Sequence, residues 1–219
     1  MSDQKLKTLE EAAGPVSRET FARLVKFEEL FKHWNRSINL VAPSTVNALW
    51  DRHIVDSAQL YPHISGAMKV VDLGTGGGFP GLILSILSAQ NSDREFYFIE
   101  SNRKKASFLT LSASALGVNA VVFPHRIEDT YEKIPRVDMV TARALAPLDV
   151  LLELSSPWLK AGASALFLKG REYRSEIEKS RQNWRFDLIQ HQSVTNEESV
   201  ALLLSNVRNC EGAGGSNGS

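Results

Sequence analysis

The chain has 219 residues, enough to bury one good core and perhaps a small appended subdomain. Lys+Arg and Asp+Glu are balanced at 25 each, so a nucleic-acid partner has to be met by a local basic patch rather than by bulk charge. The lone cysteine, Cys210, excludes an internal disulfide and a Cys-rich zinc site, and neither a membrane-length apolar run nor a signal-peptide core is present. These features predict a cytosolic monomer with no resident metal and no membrane partner.

Residues 1–16 are polar and end on the breaker Gly14-Pro15. Ser17 is placed to cap a helix on which Phe21, Leu24, Val25, Phe31 and Trp34 recur at helical spacing. Pro43-Ser44-Thr45 announces a second helix, expected from about Val46 to Leu60. There His53 and Asp56 lie one turn apart, and Arg52 reaches Asp56 at i,i+4. These residues read either as a surface ion pair with a hydrogen-bonded histidine or, with Ser57, as the mouth of a ligand cleft.

From Met68 strands and helices alternate. Strands are expected at Lys69–Leu73, Glu95–Glu100, Ala120–Pro124, Val137–Thr141 and Ala163–Lys169, with helices at Pro80–Ala89, Arg103–Leu116, after Arg126, and at Leu148–Leu159. Arg171–Arg181 reads as a further helix, and Arg185–Gln192 and Val200–Val207 as a closing antiparallel pair. The fold class is therefore α/β, a Rossmann-like, mostly parallel sheet with helices on both faces. Residues 1–65 form an N-terminal helical extension, 66–209 the sheet domain, and 210–219 a disordered Gly/Ser-rich tail.

The organising stretch is Val70-Val71-Asp72-Leu73-Gly74-Thr75-Gly76-Gly77-Gly78-Phe79-Pro80-Gly81, an apolar strand turning through glycines into a helix. Free N–H groups at the helix start favour a negatively charged ligand group. Residues 76–81 also fit G-x-G-x-x-G, the dinucleotide fingerprint. The spacing fails, however, from the first glycine after the strand, Gly74. Asp72 at the strand end suits an ammonium or sulfonium better than a pyrophosphate. S-adenosylmethionine carries both cations and is the expected ligand, with Asp72, Gly74, Gly76, Gly78 and Phe79 around it; a purely structural turn is the plain alternative.

Ligands on such sheets bind at the carboxyl ends of the strands. Glu100 ends the second strand and can take two ribose hydroxyls, flanked by Ser101 and Asn102. Ile127 and Glu128 follow the third strand, where they can face an adenine. Arg143 leaves the fourth and can meet a carboxylate or phosphate with its fork. Arg103, Lys104, Lys105, Arg126, Lys169 and Arg171 supply the local positive surface for an RNA partner, unless they are only a solvated face.

Together these residues resemble the bacterial rRNA small-subunit methyltransferase G family, also called GidB, from about Phe21 to Lys169. The resemblance rests on Trp34-Asn35 with Asn39-Leu40, Arg52-His53-Ile54-Val55-Asp56-Ser57, the glycine loop, Glu100 with Arg103-Lys104-Lys105, Ala142-Arg143-Ala144 and Leu168-Lys169-Gly170. It implies a class I S-adenosylmethionine-dependent methyltransferase fold and methyl transfer to guanine N7 in the decoding-region loop of 16S ribosomal RNA, in the small subunit or its precursor. Donor contacts are implied at Gly74, Phe79, Glu100-Ser101-Asn102, Ile127-Glu128 and Arg143. Where family members often carry an Arg-His pair, this chain has Glu197-Glu198-Ser199. Arg143, His53 and Asp56 are expected to position the reactants, since N7 needs no general base. The rival readings are a methyltransferase for a protein or small molecule, a nicotinamide enzyme, and a non-catalytic adenosyl-ligand or RNA-binding module.

Overall fold

The computed structural model describes residues 2–90, 93–134 and 136–210. Apart from Cys210, the expected Gly/Ser-rich tail lies outside the described residues. Seven strands form one sheet: β1 (Lys69–Leu73), β2 (Glu95–Ile99), β3 (Ala120–Phe123), β4 (Met139–Arg143), β5 (Ser164–Lys169), β6 (Trp184–Gln192) and β7 (Val200–Asn209). Their order is β3-β2-β1-β4-β5-β7-β6. The first five run parallel, while β7 is antiparallel to both β5 and β6.

Alternation along each strand divides the core between the two faces. Val70, Phe96 and Phe98 face one apolar cluster with α2 (Arg18–Asn35), α4 (Gly81–Leu87) and α5 (Arg103–Leu116). Val71, Tyr97 and Ile99 face the other, with α6 (Leu148–Lys160) and α7 (Tyr173–Ser180). The strand order changes direction between β1, which continues to β2 and β3, and β4, which continues to β5. The crevice for a ligand opens at that switch, beyond the carboxyl ends.

In the N-terminal region the polar stretch ahead of Gly14-Pro15, where the sequence assigns no separate helix, holds α1 (Ser2–Ala13), whose Leu9, Ala12 and Ala13 are buried in the first cluster. The single helix expected at 46–60 is instead a 3-10 turn (Pro43–Ala48), a wider π-type turn (Trp50–Val55) and a short α turn, α3 (Asp56–Ala58). The π-type turn buries Trp50, Ile54 and Val55. The cap on α2 forms as predicted, with Ser17 Oγ accepting the Thr20 N–H at 3.1 Å.

Candidate functional site

Beyond β1 the chain bends through Gly74, Gly76 and Gly78 at φ 61°, 58° and 99°, angles that favour glycine. The bend is tied to the sheet by the Thr75 N–H on the Ile99 carbonyl (3.2 Å) and closed by the Gly78 and Phe79 N–H groups on the Thr75 carbonyl (2.9 and 3.1 Å). Gly74 and Gly76 are the partly open residues of this loop. Gly78 is buried; a Cβ there would meet Leu82 at 3.1 Å and Phe27 at 3.4 Å, so its bareness serves packing rather than ligand approach. Phe79 is also buried, its ring between Phe27, Phe31 and His53 at centroid distances of 5.8, 5.4 and 5.1 Å.

Asp72 does not point at the ligand side, contrary to the sequence expectation. It is fully buried; one oxygen accepts the Gly81 N–H (3.1 Å) and the other the Thr141 hydroxyl (2.6 Å). The same bond occupies the first N–H of α4, whose following N–H groups reach the carbonyls of Gly78 and Pro80. The helix start is therefore not an anion seat, and Gly81 is closed to a pyrophosphate. Burial pushes the Asp72 carboxyl from 3.8 up to about 7, against the hydrogen bonds from Thr141, Thr75 and Gly81.

The fold holds that proton more tightly than the unfolded chain does. Asp72 therefore contributes stability fully below about pH 4 and loses it as pH rises to about 7. Urea midpoints are expected to fall across this window by an amount worth up to roughly 4 kcal/mol, and to fall much less in Asp72→Asn. A wild-type profile parallel to that of Asp72→Asn would contradict the assignment.

Glu100, just past β2 and 8 % exposed, bridges two loops. One carboxylate oxygen accepts the Gly76 N–H (2.9 Å) and the other the Asn102 N–H (2.7 Å). Each oxygen keeps a second lone pair, so the carboxylate can still take the two hydroxyls of a ribose. Asn102 in turn caps α5 through the N–H groups of Lys104 and Lys105 (3.0 and 3.2 Å). Ser101 is exposed beside it, and the half-buried Ile127 and exposed Glu128 open the 3-10 turn Ile127–Thr130 after β3. Partly open glycines, a bridging carboxylate and an apolar residue past the third strand fit an adenosyl ligand.

The structure places Arg143 differently from its expected role. It is the last residue of β4, and its fork is already engaged by the N-terminal region. Its Nε lies 3.2 Å from Asp56, while Nη2 donates to the Arg52 carbonyl (2.9 Å) and lies 2.9 Å from His53 Nδ1. Its other terminal nitrogen reaches the His53 carbonyl at 3.4 Å. Asp56 thus pairs with Arg143, not with Arg52, and also accepts from Thr195 Oγ1 and Gln59 Nε2. A guanidinium committed to this set is not poised for bidentate capture of a ligand anion; it rivets the extension to the sheet.

With Arg143 donating to Nδ1, the His53 proton sits on Nε2, a buried atom with no hydrogen-bond partner. Burial and the neighbouring Arg143 and Arg52 charges pull its pKa down to about 4, so the ring is neutral. Ser57, expected beside it at the cleft mouth, is buried and donates to the His53 carbonyl at 2.6 Å.

The expected basic surface divides. Arg103, Lys104 and Arg126 are exposed and Lys105 half-buried, near Glu100. Lys169 is 9 % exposed, with its ammonium 2.6 Å from Glu176 and donating to the Ala146 carbonyl at 2.8 Å, so it braces the loop after β4 rather than facing phosphates. Arg171 is exposed but paired with Glu198 at 2.7 Å. Among the described residues no group of three or more His, Cys, Asp or Glu side chains is arranged to hold a metal.

Two features were not anticipated. Ala144 has φ 52°, an angle uncommon for a non-glycine residue, at the exit of β4. The next residue, Leu145, is 38 % exposed and lies against the glycine bend: a Cβ on Gly74 would stand 2.6 Å from its Cδ1. Beside this loop a cleft of about 850 Å³ opens at the ends of β4 and β5, bordered by Arg143, Ala144 and His53 and closed on the far side by α1.

Solved structures share the fold at low identity. The O-methyltransferase TomG from Streptomyces achromogenes, in complex with SAM, aligns at TM-score 0.54 and 15 % identity over 84 % of this chain and 89 % of its own. A putative O-methyltransferase from Klebsiella pneumoniae aligns at 0.55 and 13 %, over 90 % and 94 %. The seven-stranded sheet is thus the class I methyltransferase fold. Curated relatives named Ribosomal RNA small subunit methyltransferase G are much nearer in sequence. The Chelativorans sp. (strain BNC1) protein is 49 % identical over 95 % of this chain and 99 % of its own length. The Bartonella bacilliformis protein is 46 % identical over 96 % and 98 %. A family model described as GidB, rRNA small subunit methyltransferase G, matches residues 20–203, a span holding the glycine loop, Glu100 and the Arg143 cluster; the chain belongs to that family.

Proposed function

We propose that this protein transfers the methyl group of S-adenosylmethionine to N7 of a guanine in the decoding-region loop of 16S ribosomal RNA, acting as a cytoplasmic monomer on the small subunit or its precursor. The observation that carries the reading is the Glu100 carboxylate bridging the Gly76 and Asn102 N–H groups at the edge of an open glycine bend. Family membership supports the RNA substrate, since the near relatives are named for it. The SAM complex of a protein of the same fold supports the donor.

The donor supplies an electrophilic methyl on a sulfonium. Guanine N7 has a free lone pair in the neutral base, so no proton has to leave and no general base is required. The residues near the β4 exit agree with that: His53 is neutral with Nδ1 occupied, and Asp56 is tied to three partners. Their work is to hold the loop after β4 and the acceptor side in register. Alignment of nucleophile, methyl and leaving sulfur is worth about 7–11 kcal/mol in favourable cases.

Incubation with labelled donor and undermethylated small subunits, followed by mass mapping, is expected to place the label on one guanine N7. Label on a protein, on a different atom, or only on small molecules would refute the reading. Glu100→Ala is expected to weaken donor affinity about tenfold or more by calorimetry, the loss of a hydrogen bond to a charged group. Unchanged affinity would remove Glu100 from the ribose site.

The exposed start of α5 provides the phosphate contacts in this reading. Replacing Lys104 and Lys105 together with alanine is expected to lower RNA affinity, spare donor affinity, and flatten the log–log salt dependence by about 1.4, at roughly 0.7 per phosphate lost. An unchanged slope would take the RNA elsewhere.

A further inference from the structure

Two cationic residues are buried among the described residues, Lys169 at 9 % and Arg94 at 4 % exposure. Lys169 has Glu176 at 2.6 Å. Arg94, just before β2, has no carboxylate partner among the described residues. Its three acceptors are neutral: Nε donates to the Ala67 carbonyl (2.7 Å), Nη1 to the Ser88 hydroxyl (3.1 Å) and Nη2 to the Ser65 carbonyl (2.9 Å). Arginine is seldom buried this deeply without a counter-charge, because neutral acceptors do not replace the hydration a guanidinium gives up. One N–H on each terminal nitrogen is also left without a partner among the described residues.

Arg94 lines a cavity of about 180 Å³ between the last turn of α4, Gly117 at the end of α5, and Asn119 ahead of β3. No other charged residue belongs to the lining. The neighbouring acid Asp93 is exposed outside it, and Glu95 points to the opposite face from Phe96, bonded to the Tyr97 hydroxyl. The carbonyl ends of the two bordering helices are largely met. In α4 the Ser88 and Ala89 N–H groups reach the Leu84 and Ile86 carbonyls (3.0 and 3.2 Å). In α5 Gly117 and Val118 close on Ser114 and Ala113, and the Lys26 ammonium takes the Ala115 carbonyl at 2.7 Å. The guanidinium therefore sets the sign of the cavity.

Size narrows the ligand. At roughly 30 Å³ per water the space equals about six waters, enough for a four-oxygen anion with a water or two. It is smaller than the roughly 300 Å³ at which pockets for nucleoside-sized ligands begin. A phosphate still joined to two sugars cannot reach a guanidinium buried to this depth. Ser88 accepts from Arg94 through its oxygen and has its own O–H to offer. We infer that this cavity binds a small free oxyanion, inorganic phosphate by charge and size, as the counter-ion of Arg94. The two remaining guanidinium N–H groups and the Ser88 hydroxyl hold it. The site goes beyond the methyl-transfer reading and does not rest on it: Arg94 and Asn119 precede β2 and β3, at the opposite end of the sheet from Gly76 and Glu100.

The test is titration of the full chain with inorganic phosphate, read by thermal melting and calorimetry against sodium chloride of matched ionic strength. A saturable rise in Tm is expected, about 5–10 °C when phosphate is a hundredfold above its dissociation constant. Arg94→Met should weaken phosphate binding about tenfold or more, and Ser88→Ala about threefold or more. Arg94→Met also strips the Ser65 and Ala67 carbonyls of their donor, so a further variant keeps the guanidinium. Ala89→Glu adds a carboxylate to the half-buried lining; it should raise Tm without phosphate and abolish the response to it. Lys104→Ala with Lys105→Ala should keep the response in full, which separates this site from anions gathered at the exposed start of α5. S-adenosylhomocysteine affinity should be the same with and without phosphate. A rise matched by sodium chloride, one lost with Lys104 and Lys105, or one untouched by the changes at Arg94, Ser88 and Ala89 would overturn the inference. None of these outcomes bears on methyl transfer, which stands or falls by its own assay.

Discussion

Arg143→Ala is expected to lower the free energy of unfolding by about 3 kcal/mol, because it strands a mostly buried carboxylate without its cation. Asp56 is only 14 % exposed at its side chain, and Thr195 and Gln59 are the partners it would keep. The Arg52 carbonyl and His53 Nδ1 each lose the guanidinium as donor in the same step, while the His53 carbonyl keeps the Ser57 hydroxyl. Arg143→Lys should recover little, since one ammonium cannot reach an acid, two carbonyls and an imidazole from a planar fork. Urea unfolding measures the loss, and hydrogen exchange should locate it in residues 43–60, which the guanidinium fastens to β4. Donor affinity should change less than RNA methylation. A variant of native stability would mean the cluster is a surface contact, and a donor affinity lost in full would restore Arg143 to the donor site.

Gly81→Ala is expected to be nearly as damaging, at about 3 kcal/mol or a fall in Tm of roughly 6–12 °C, through overpacking rather than lost charge. An added Cβ would stand 2.6–2.8 Å from three atoms of the Asp72 side chain. Asp72 cannot retreat, being fully buried and bonded to Thr141 on its other side. Gly66→Ala is the matched control: its Cβ meets nothing within 4 Å, so a change within about 0.5 kcal/mol is expected. Similar melting temperatures for the two variants would mean that the bend after β1 relaxes freely.

Much of the sheet could be read in the chain because its signals are local. Glycine clusters, strand-length apolar runs and the Ser17 cap fall where the elements begin and end, and α5 spans Arg103–Leu116 as expected. The site was legible as a set of strand-end residues but not as a set of partners. Asp72 and Glu100 are both acids at the ends of apolar strands; one is turned inward by Gly81 and Thr141, and the other outward between two loops. Nothing within a few residues of either distinguishes them. The Arg143–Asp56 pair joins residues more than a third of the chain apart, so spacing alone pointed to Arg52 as the local partner. α1 escaped notice because its inward face has only Leu9, Ala12 and Ala13, too few to dominate a polar segment. The π-type turn at Trp50–Val55 is likewise invisible to a search for a 3.6-residue period.

The insertion of β7 between β5 and β6 has a consequence for biosynthesis. β6 leaves the ribosome first, yet it joins the sheet only through β7. Until residues 200–209 have emerged, the outer edge of β5, with Leu166, Phe167 and Leu168, offers unpaired backbone to any passing strand. The polypeptide is thus most open to mispairing for as long as residues 200–209 are unavailable, and loss of that strand leaves β5 and β6 as two unmated ribbons rather than a slightly narrower sheet.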